Sequence, residues 1–178
     1  MLTAYLDTNI ISALAKKDFC ENTMKSVLEV INYSKLDAIE LHTSELTQEE
    51  IMNIPEEYRY HHFLIYNLIK NVSIVSECRP SNIVIGGYGG GNIVTRGFGG
   101  GGKDTLLISI DEIIHRPNNE QKAKARDADV RHLYQCKKNN LEIFWTEDKQ
   151  TILNKKGDLA RIGIIVMSSE QLINRINS

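Results

Sequence analysis

Ala4-Tyr5-Leu6-Asp7-Thr8-Asn9-Ile10 is a short apolar run that ends on an acid and passes at once into helix-compatible sequence. A carboxylate placed where a strand ends and a helix begins is a common opening of a metal site in α/β enzymes. A matching stretch lies far downstream, Phe144-Trp145-Thr146-Glu147-Asp148, again an apolar run closed by acids. In a parallel sheet the carboxyl ends of the strands share one edge, and a crevice opens where the strand order reverses. Two strand-end aspartates from opposite ends of the chain can meet there.

Working outward, strands and helices alternate. Thr3–Leu6 reads as a strand, Ile10–Lys16 and Asn22–Tyr33 as helices, and Asp37–Leu41 as a second strand ending at Thr43-Ser44. A helix from about Thr47 breaks before Pro55, because the residue before proline disfavours the α region. Glu56–Lys70 reads as helix and Val72–Val75 as a third strand. Beyond the middle of the chain come a helix over Asp129–Lys138, a strand over Glu142–Trp145, a helix over Lys149–Leu153, a strand over Ile162–Met167 and a terminal helix opened by Ser169. This alternation predicts a three-layer α/β/α fold with a mostly parallel central sheet.

The pattern lapses between Arg79 and Asp104, where two near-duplicate glycine runs flank Asn92-Ile93-Val94-Thr95-Arg96. We read residues 1–178 as one domain carrying a glycine-rich insertion at about 79–104. Tyr88 and Phe98 punctuate the runs beside Arg96, a composition suited to stacking on single-stranded RNA. A mobile flap, a tolerated insertion and an extra strand at Ile93-Val94 are the three readings of that segment. Leu106–Ile114 fits helix or strand, Pro117-Asn118-Asn119 a turn, and Glu120–Arg126 an exposed charged stretch.

With 178 residues and 42% hydrophobic content the chain can bury a full core. A net charge of only −2 gives no bulk affinity for nucleic acid, so any such binding must come from local basic patches. Neither a signal peptide nor a membrane span is expected. Cys20, Cys78 and Cys136 read as reduced, mostly buried thiols of a cytoplasmic protein.

Four acids stand out: Asp7, Glu50, Asp129 and Asp148. Each also has a plain structural reading. Asp7 and Asp148 fit N-caps, Thr47-x-x-Glu50 fits a capping box, and Asp129 fits a first helical turn. Taken together, all four are expected at helix N-termini, facing one sheet edge. Like charges about 4 Å apart repel by roughly 4 kcal/mol at an effective dielectric near 20. Converging carboxylates therefore need protons or a cation, and a hard divalent ion, Mg²⁺ or Mn²⁺, suits oxygen ligands. Glu45 and Glu49 compete with Glu50 for the second position, and Asp127 with Asp129 for the third.

Asp7-Thr8-Asn9, Thr47-x-x-Glu50-Ile51, Asp129-Val130-Arg131-His132-Leu133 and Thr146-x-Asp148 resemble, in the same order, the four acidic motifs of PIN-domain ribonucleases. The resemblance spans the chain apart from the glycine-rich region, and the stretch from Glu50 to Asp129 is longer than in a compact member. It implies a PIN-like fold in which the four acids hold Mg²⁺ or Mn²⁺ and hydrolyse RNA phosphodiester bonds, with Asn9 and Thr146 supporting the site. Many bacterial members are toxins of toxin–antitoxin pairs, so RNA substrate, an antitoxin protein and a homodimer are the partners it brings into view. A non-catalytic PIN-like module that holds RNA or protein is the rival reading.

Metal-activated water would supply the nucleophile in such an enzyme, with no histidine base required. His132 reads as a packing or polar-edge residue, and adjacent His61-His62 face different directions on a helix. Gly97–Lys103 imitates a phosphate-binding loop, but Asp104 stands where a hydroxyl is needed and no convincing strand precedes it. A phosphotransferase reading lacks a second aspartate two residues after Asp7. Among the basic residues of the second half, Arg126, Arg131 and Lys149 flank the acids and are the candidates for phosphate contacts.

Overall fold

Alternate residues of the first strand enter two different cores, and this organises the molecule. In the computed structural model, which describes residues 1–69, 72–75, 78, 104–114 and 120–178, strand β1 (Leu2–Leu6) lies at the centre of a five-stranded parallel sheet. Its neighbours are β2 (Ile39–Thr43) and β4 (Ile143–Trp145), with β3 (Val72–Ile74) and β5 (Val166–Met167) outermost, giving the order β3-β2-β1-β4-β5. Ala4, Leu6, Ile143 and Trp145 face one way. There they pack on Ile10 and Ile11 of α1 (Thr8–Lys16), Val27 and Val30 of α2 (Glu21–Lys35) and Leu172 of α8 (Ser169–Ile176). Ile51 of α3 (Glu45–Met52) joins this core, and Phe63 of α4 (Glu56–Leu68) packs against it.

Tyr5 and Phe144 face the other way, their rings stacked with centroids 5.5 Å apart. They pack on Ile110 of α5 (Thr105–Ile114), Leu133 of α6 (Glu120–Lys138) and Leu159 of α7 (Lys156–Arg161). Both faces are covered, which is why the central strands β1 and β4 read as near-continuous apolar runs. The three-layer α/β/α fold expected from the alternation is the one observed.

Several local expectations change. Helix α6 runs unbroken from Glu120, so Asp129 sits in mid-helix and not in a first turn. Leu106–Ile114 is helical because Asp104 caps it, accepting from the amides of Leu106 and Leu107. The expected helix over Lys149–Leu153 is a turn leading into a short 3-10 helix at Leu153–Lys155 and then α7. The last strand starts at Val166, not Ile162, because Ile162-Gly163 completes the end of α7. Gly163 has φ +78°, and a Cβ there would stand 2.6 Å from the Lys137 ammonium. Of the three free thiols only Cys136 is buried, Cys78 is intermediate and Cys20 is exposed. No helix among the described residues is long and apolar enough to cross a membrane.

The glycine runs, with the flap, insertion and extra-strand readings of them, and the turn expected at Pro117 lie outside the described residues; Cys78 and Asp104, which bound the glycine stretch, lie within them. Gln135 receives the Cys78 amide at 2.9 Å and donates to the Cys78 carbonyl at 3.0 Å. Asp104 accepts from the Tyr134 hydroxyl at 2.6 Å and pairs with Lys138 at 3.3 Å. Both ends of the stretch are thus tied to neighbouring residues of one helix. Loop closure costs only about 0.6 kcal/mol per doubling of length. Replacing residues 79–103 with a Gly/Ser linker of about six residues should therefore leave cooperative thermal unfolding intact, with Tm unchanged or a few degrees higher. Loss of a cooperative transition would show that the fold needs those residues.

Candidate functional site

The β1–β4 ladder runs one residue past β1, with the Asp7 amide donating to the Trp145 carbonyl at 3.1 Å. Asp7 is also the N-cap of α1: one carboxylate oxygen accepts from the Asn9 amide at 3.4 Å. The other accepts from the Thr146 hydroxyl at 2.6 Å. Asn9 Oδ1 in turn accepts from the Glu147 amide at 3.2 Å. The Thr146 oxygen also accepts from the Asp148 amide at 3.0 Å. Asp148 opens its own turn, accepting from the amides of Gln150 and Thr151 at 2.9 Å each. The ends of β1 and β4, on either side of the strand-order reversal, are therefore bound into one polar unit by Asp7, Asn9, Thr146 and Asp148.

Helix α3 begins at Glu45 after Ser44, so Glu50 lies in its second half and Thr47-x-x-Glu50 is not a capping box. Thr47 instead bridges hydroxyls, 3.1 Å from Thr8 and 2.6 Å from Thr43. Glu50 reaches His132 Nε2 at 2.9 Å. Glu49 turns outward to Arg131 at 3.5 Å, and Glu45 is exposed. Of the three competing glutamates, Glu50 is the one whose charge acts on both Asp7 and Asp129.

The electrostatics tie the four together. Burial pushes the Asp129 carboxyl up to about 8, with the charges of Asp7, Asp148 and Glu50 adding to the rise and Arg126 opposing it. Burial likewise pushes Asp7, only 4% exposed, up to about 6, against the lowering pull of His132 and Thr146. Glu50 departs in the opposite sense. Burial raises it, but the His132 hydrogen bond and charge, the Thr8 hydroxyl and Arg131 together outweigh burial and hold it below the ordinary value. The expectation that all four acids stand at helix N-termini is thus corrected: Asp129 and Glu50 reach the edge from helix interiors. Asp127 lines an outer cleft of about 640 Å³ between α3 and α6, with Glu49, Glu50, Arg131 and His132.

The basic candidates are variously placed. Arg126 donates to the Ile114 carbonyl, tying α6 to the end of α5. Arg131 pairs with Glu49, and Lys149 is exposed beside Glu147 in a polar cleft that includes Lys25 and Ser168. The sequence reading missed His132 as more than packing. It is 1% exposed, with both ring nitrogens bonded.

Among the described residues no three His, Cys, Asp or Glu side chains crowd closely enough to ligate one ion directly. Mg²⁺ keeps several of its waters and takes only one or two carboxylates. An all-oxygen set of spaced acids, one of them pushed up to about 8 by burial and then by its neighbours, fits such a water-rich ion and not a closed His/Cys zinc site.

Asp7 and Asp129 have folded values above the ordinary 3.8, so the unfolded chain loses these protons first. Between about pH 4 and 8 these two carboxyls hold more protons in the folded, metal-free protein than in the unfolded chain, and their contribution to stability falls as pH rises through that window. Asp129→Asn should raise the Tm of the metal-free protein by a few degrees near pH 8 and by almost nothing near pH 4, measured by calorimetry in EDTA. A substitution that is equally destabilising at both pH values would contradict the shared field.

No family model matches the chain, and no curated protein sequence matches it. Among solved structures, VapBC2 from Rickettsia felis bound to a DNA fragment from their promoter aligns over 94% of this chain and 98% of that one, with a TM-score of 0.47 and 11% identity. At that score and identity the likeness carries no weight on function.

Proposed function

We propose that this chain is a metal-dependent endoribonuclease in which Asp7, Glu50, Asp129 and Asp148 hold Mg²⁺ or Mn²⁺ at the crevice between β1 and β4. The observation that carries the reading is the arrangement at the sheet edge: Thr146 ties Asp7 to the turn that carries Asp148, His132 holds Glu50, and the Asp129 carboxyl lies within the field of all three acids. The order of the four acidic motifs supports the same reading.

The ion, when bound, supplies an activated water and neutralises charge on the departing oxygen. The chain's own residues do the rest. Thr146 and Asn9 orient Asp7 and the turn that carries Asp148, so two ligand positions are fixed by the sheet itself. Glu50 and Asp129 approach from α3 and α6, and of the four acids it is Glu50 that lines the cleft between those helices. Arg131 and Lys149 lie at the margins, where contacts to phosphate position a substrate without reading its sequence. Arg126 is already engaged by the Ile114 carbonyl and damps the charge at Asp129, which makes it the weakest of the three phosphate candidates. The motif resemblance extends the reading to a toxin restrained by an antitoxin protein; a small reading frame beside the gene would test that extension.

Asparagine caps a helix as well as aspartate does, so Asp7→Asn keeps α1 while removing a charged ligand. It should cut RNA cleavage by more than about 100-fold, beyond the 10- to 100-fold typical of outer-shell changes, and leave metal-free stability no lower. EDTA should abolish wild-type cleavage, and Mn²⁺ restore it. Cleavage undiminished by Asp7→Asn or by EDTA would end the metal-nuclease reading, and metal-independent RNA binding without cleavage would favour the binding module.

A further inference from the structure

A buried chain of hydrogen bonds leads from the N-cap of α3 to the second acid. The Ser44 hydroxyl lies 2.6 Å from the Tyr5 phenol, and the phenol lies 2.6 Å from His132 Nδ1. His132 Nε2 meets Glu50 Oε2 at 2.9 Å. Ser44, Tyr5 and His132 are each no more than 1% exposed. The arrangement has a cost that calls for a reason. Ser44 stands at the N-cap of α3 yet makes no capping bond, its hydroxyl being turned to Tyr5. Tyr5 carries a polar end into a core otherwise built from Phe144, Leu133 and Ile110.

From this geometry we infer that His132 is a positioning residue: held by Tyr5 and Ser44, it fixes the Glu50 carboxylate toward Asp7 and Asp129. A carboxylate can only accept, so Nε2 carries the proton of the His132–Glu50 bond. This holds in either charge state of the ring. A neutral ring accepts at Nδ1 the hydrogen bond that the Tyr5 hydroxyl donates, with Ser44 donating to the phenol oxygen. An imidazolium donates at both nitrogens, and the phenol then donates to Ser44. Tyr5 keeps its proton because burial pushes the phenol far above the ordinary range. Glu49, one residue earlier, has no such partner and faces Arg131 instead. The relay thus accounts for why Glu50, and not its neighbour, belongs to the site. Outer partners that orient metal-binding carboxylates characteristically change metal affinity by about 10- to 100-fold when removed.

This inference rests on the metal-nuclease reading, and two measurements separate their fates. In ¹⁵N NMR of the metal-free wild type, His132 should carry a proton on Nε2; a ring protonated only at Nδ1 would overturn the relay whatever the protein's activity. Mn²⁺ affinity is then compared by calorimetry in the wild type, His132→Leu and His132→Gln. Leucine fills the site without a donor, whereas the glutamine amide offers one near the Nε2 position. The dissociation constant should rise about 10- to 100-fold in His132→Leu and return to within about threefold in His132→Gln. The Mg²⁺ concentration for half-maximal cleavage should follow, with kcat at saturating Mg²⁺ largely preserved. Wild-type Mn²⁺ affinity in a folded His132→Leu would overturn the positioning role, and so would failure of folded His132→Gln to recover affinity. A wild type that neither binds Mn²⁺ nor cuts RNA would sink the nuclease reading, while the NMR result still decides the relay.

Discussion

Carboxylates that share a buried crevice repel one another, and the carboxyl edge of this sheet is built around that repulsion. Asp7 is almost wholly buried, and Asp129 sits where burial and three neighbouring acids push its proton affinity far above the ordinary value. The fold could have removed the strain by pairing each acid with an arginine or lysine. Among the described residues such pairs stand at the periphery, where Arg131 takes Glu49 and Lys138 takes Asp104. Within the crevice the compensating groups are mostly hydroxyls, amides and one histidine, which orient carboxylates without neutralising the set. On the proposed reading, a cation in the crevice would offset that repulsion.

Helix α6 does most of the arranging. On it, Asp129 enters the crevice, His132 one turn later reaches Glu50, and Tyr134, Gln135 and Lys138 hold both ends of the glycine-rich stretch. Leu133 and Cys136 keep the same helix against the sheet. Because these roles sit on one rigid element, the position of Asp129 relative to Glu50 is fixed by packing that extends well away from the acids.

What could be read from the sequence was whatever depended on period and position along a strand. Ala4-Tyr5-Leu6 and Ile143-Phe144-Trp145 announced buried parallel strands, and the acids just after them announced the edge. Asp7 and Thr146, whose geometry follows directly from strand ends, were legible for that reason. Glu50 and Asp129 were found as residues but misplaced as helix starts, because a capping box and a charged helix have the same local spelling whether or not a helix begins there. The 19-residue run of α6 was hidden by its charged first half, which carries no apolar period to mark it. His132 was invisible as a partner because its role comes from Tyr5 and Ser44, residues brought to it only by the sheet register. Gly163 was overlooked because an isolated glycine among isoleucines reads as strand until its positive φ shows the end of a helix.

The central claim is that the crevice between β1 and β4 holds a divalent cation through its acids. Anomalous diffraction from a crystal soaked in Mn²⁺ tests it most directly. The account predicts one strong peak in the crevice, against the carboxylate of Asp7 or Asp129. A crystal with the crevice open to solvent but no peak there, or with Mn²⁺ bound only elsewhere on the molecule, would contradict it.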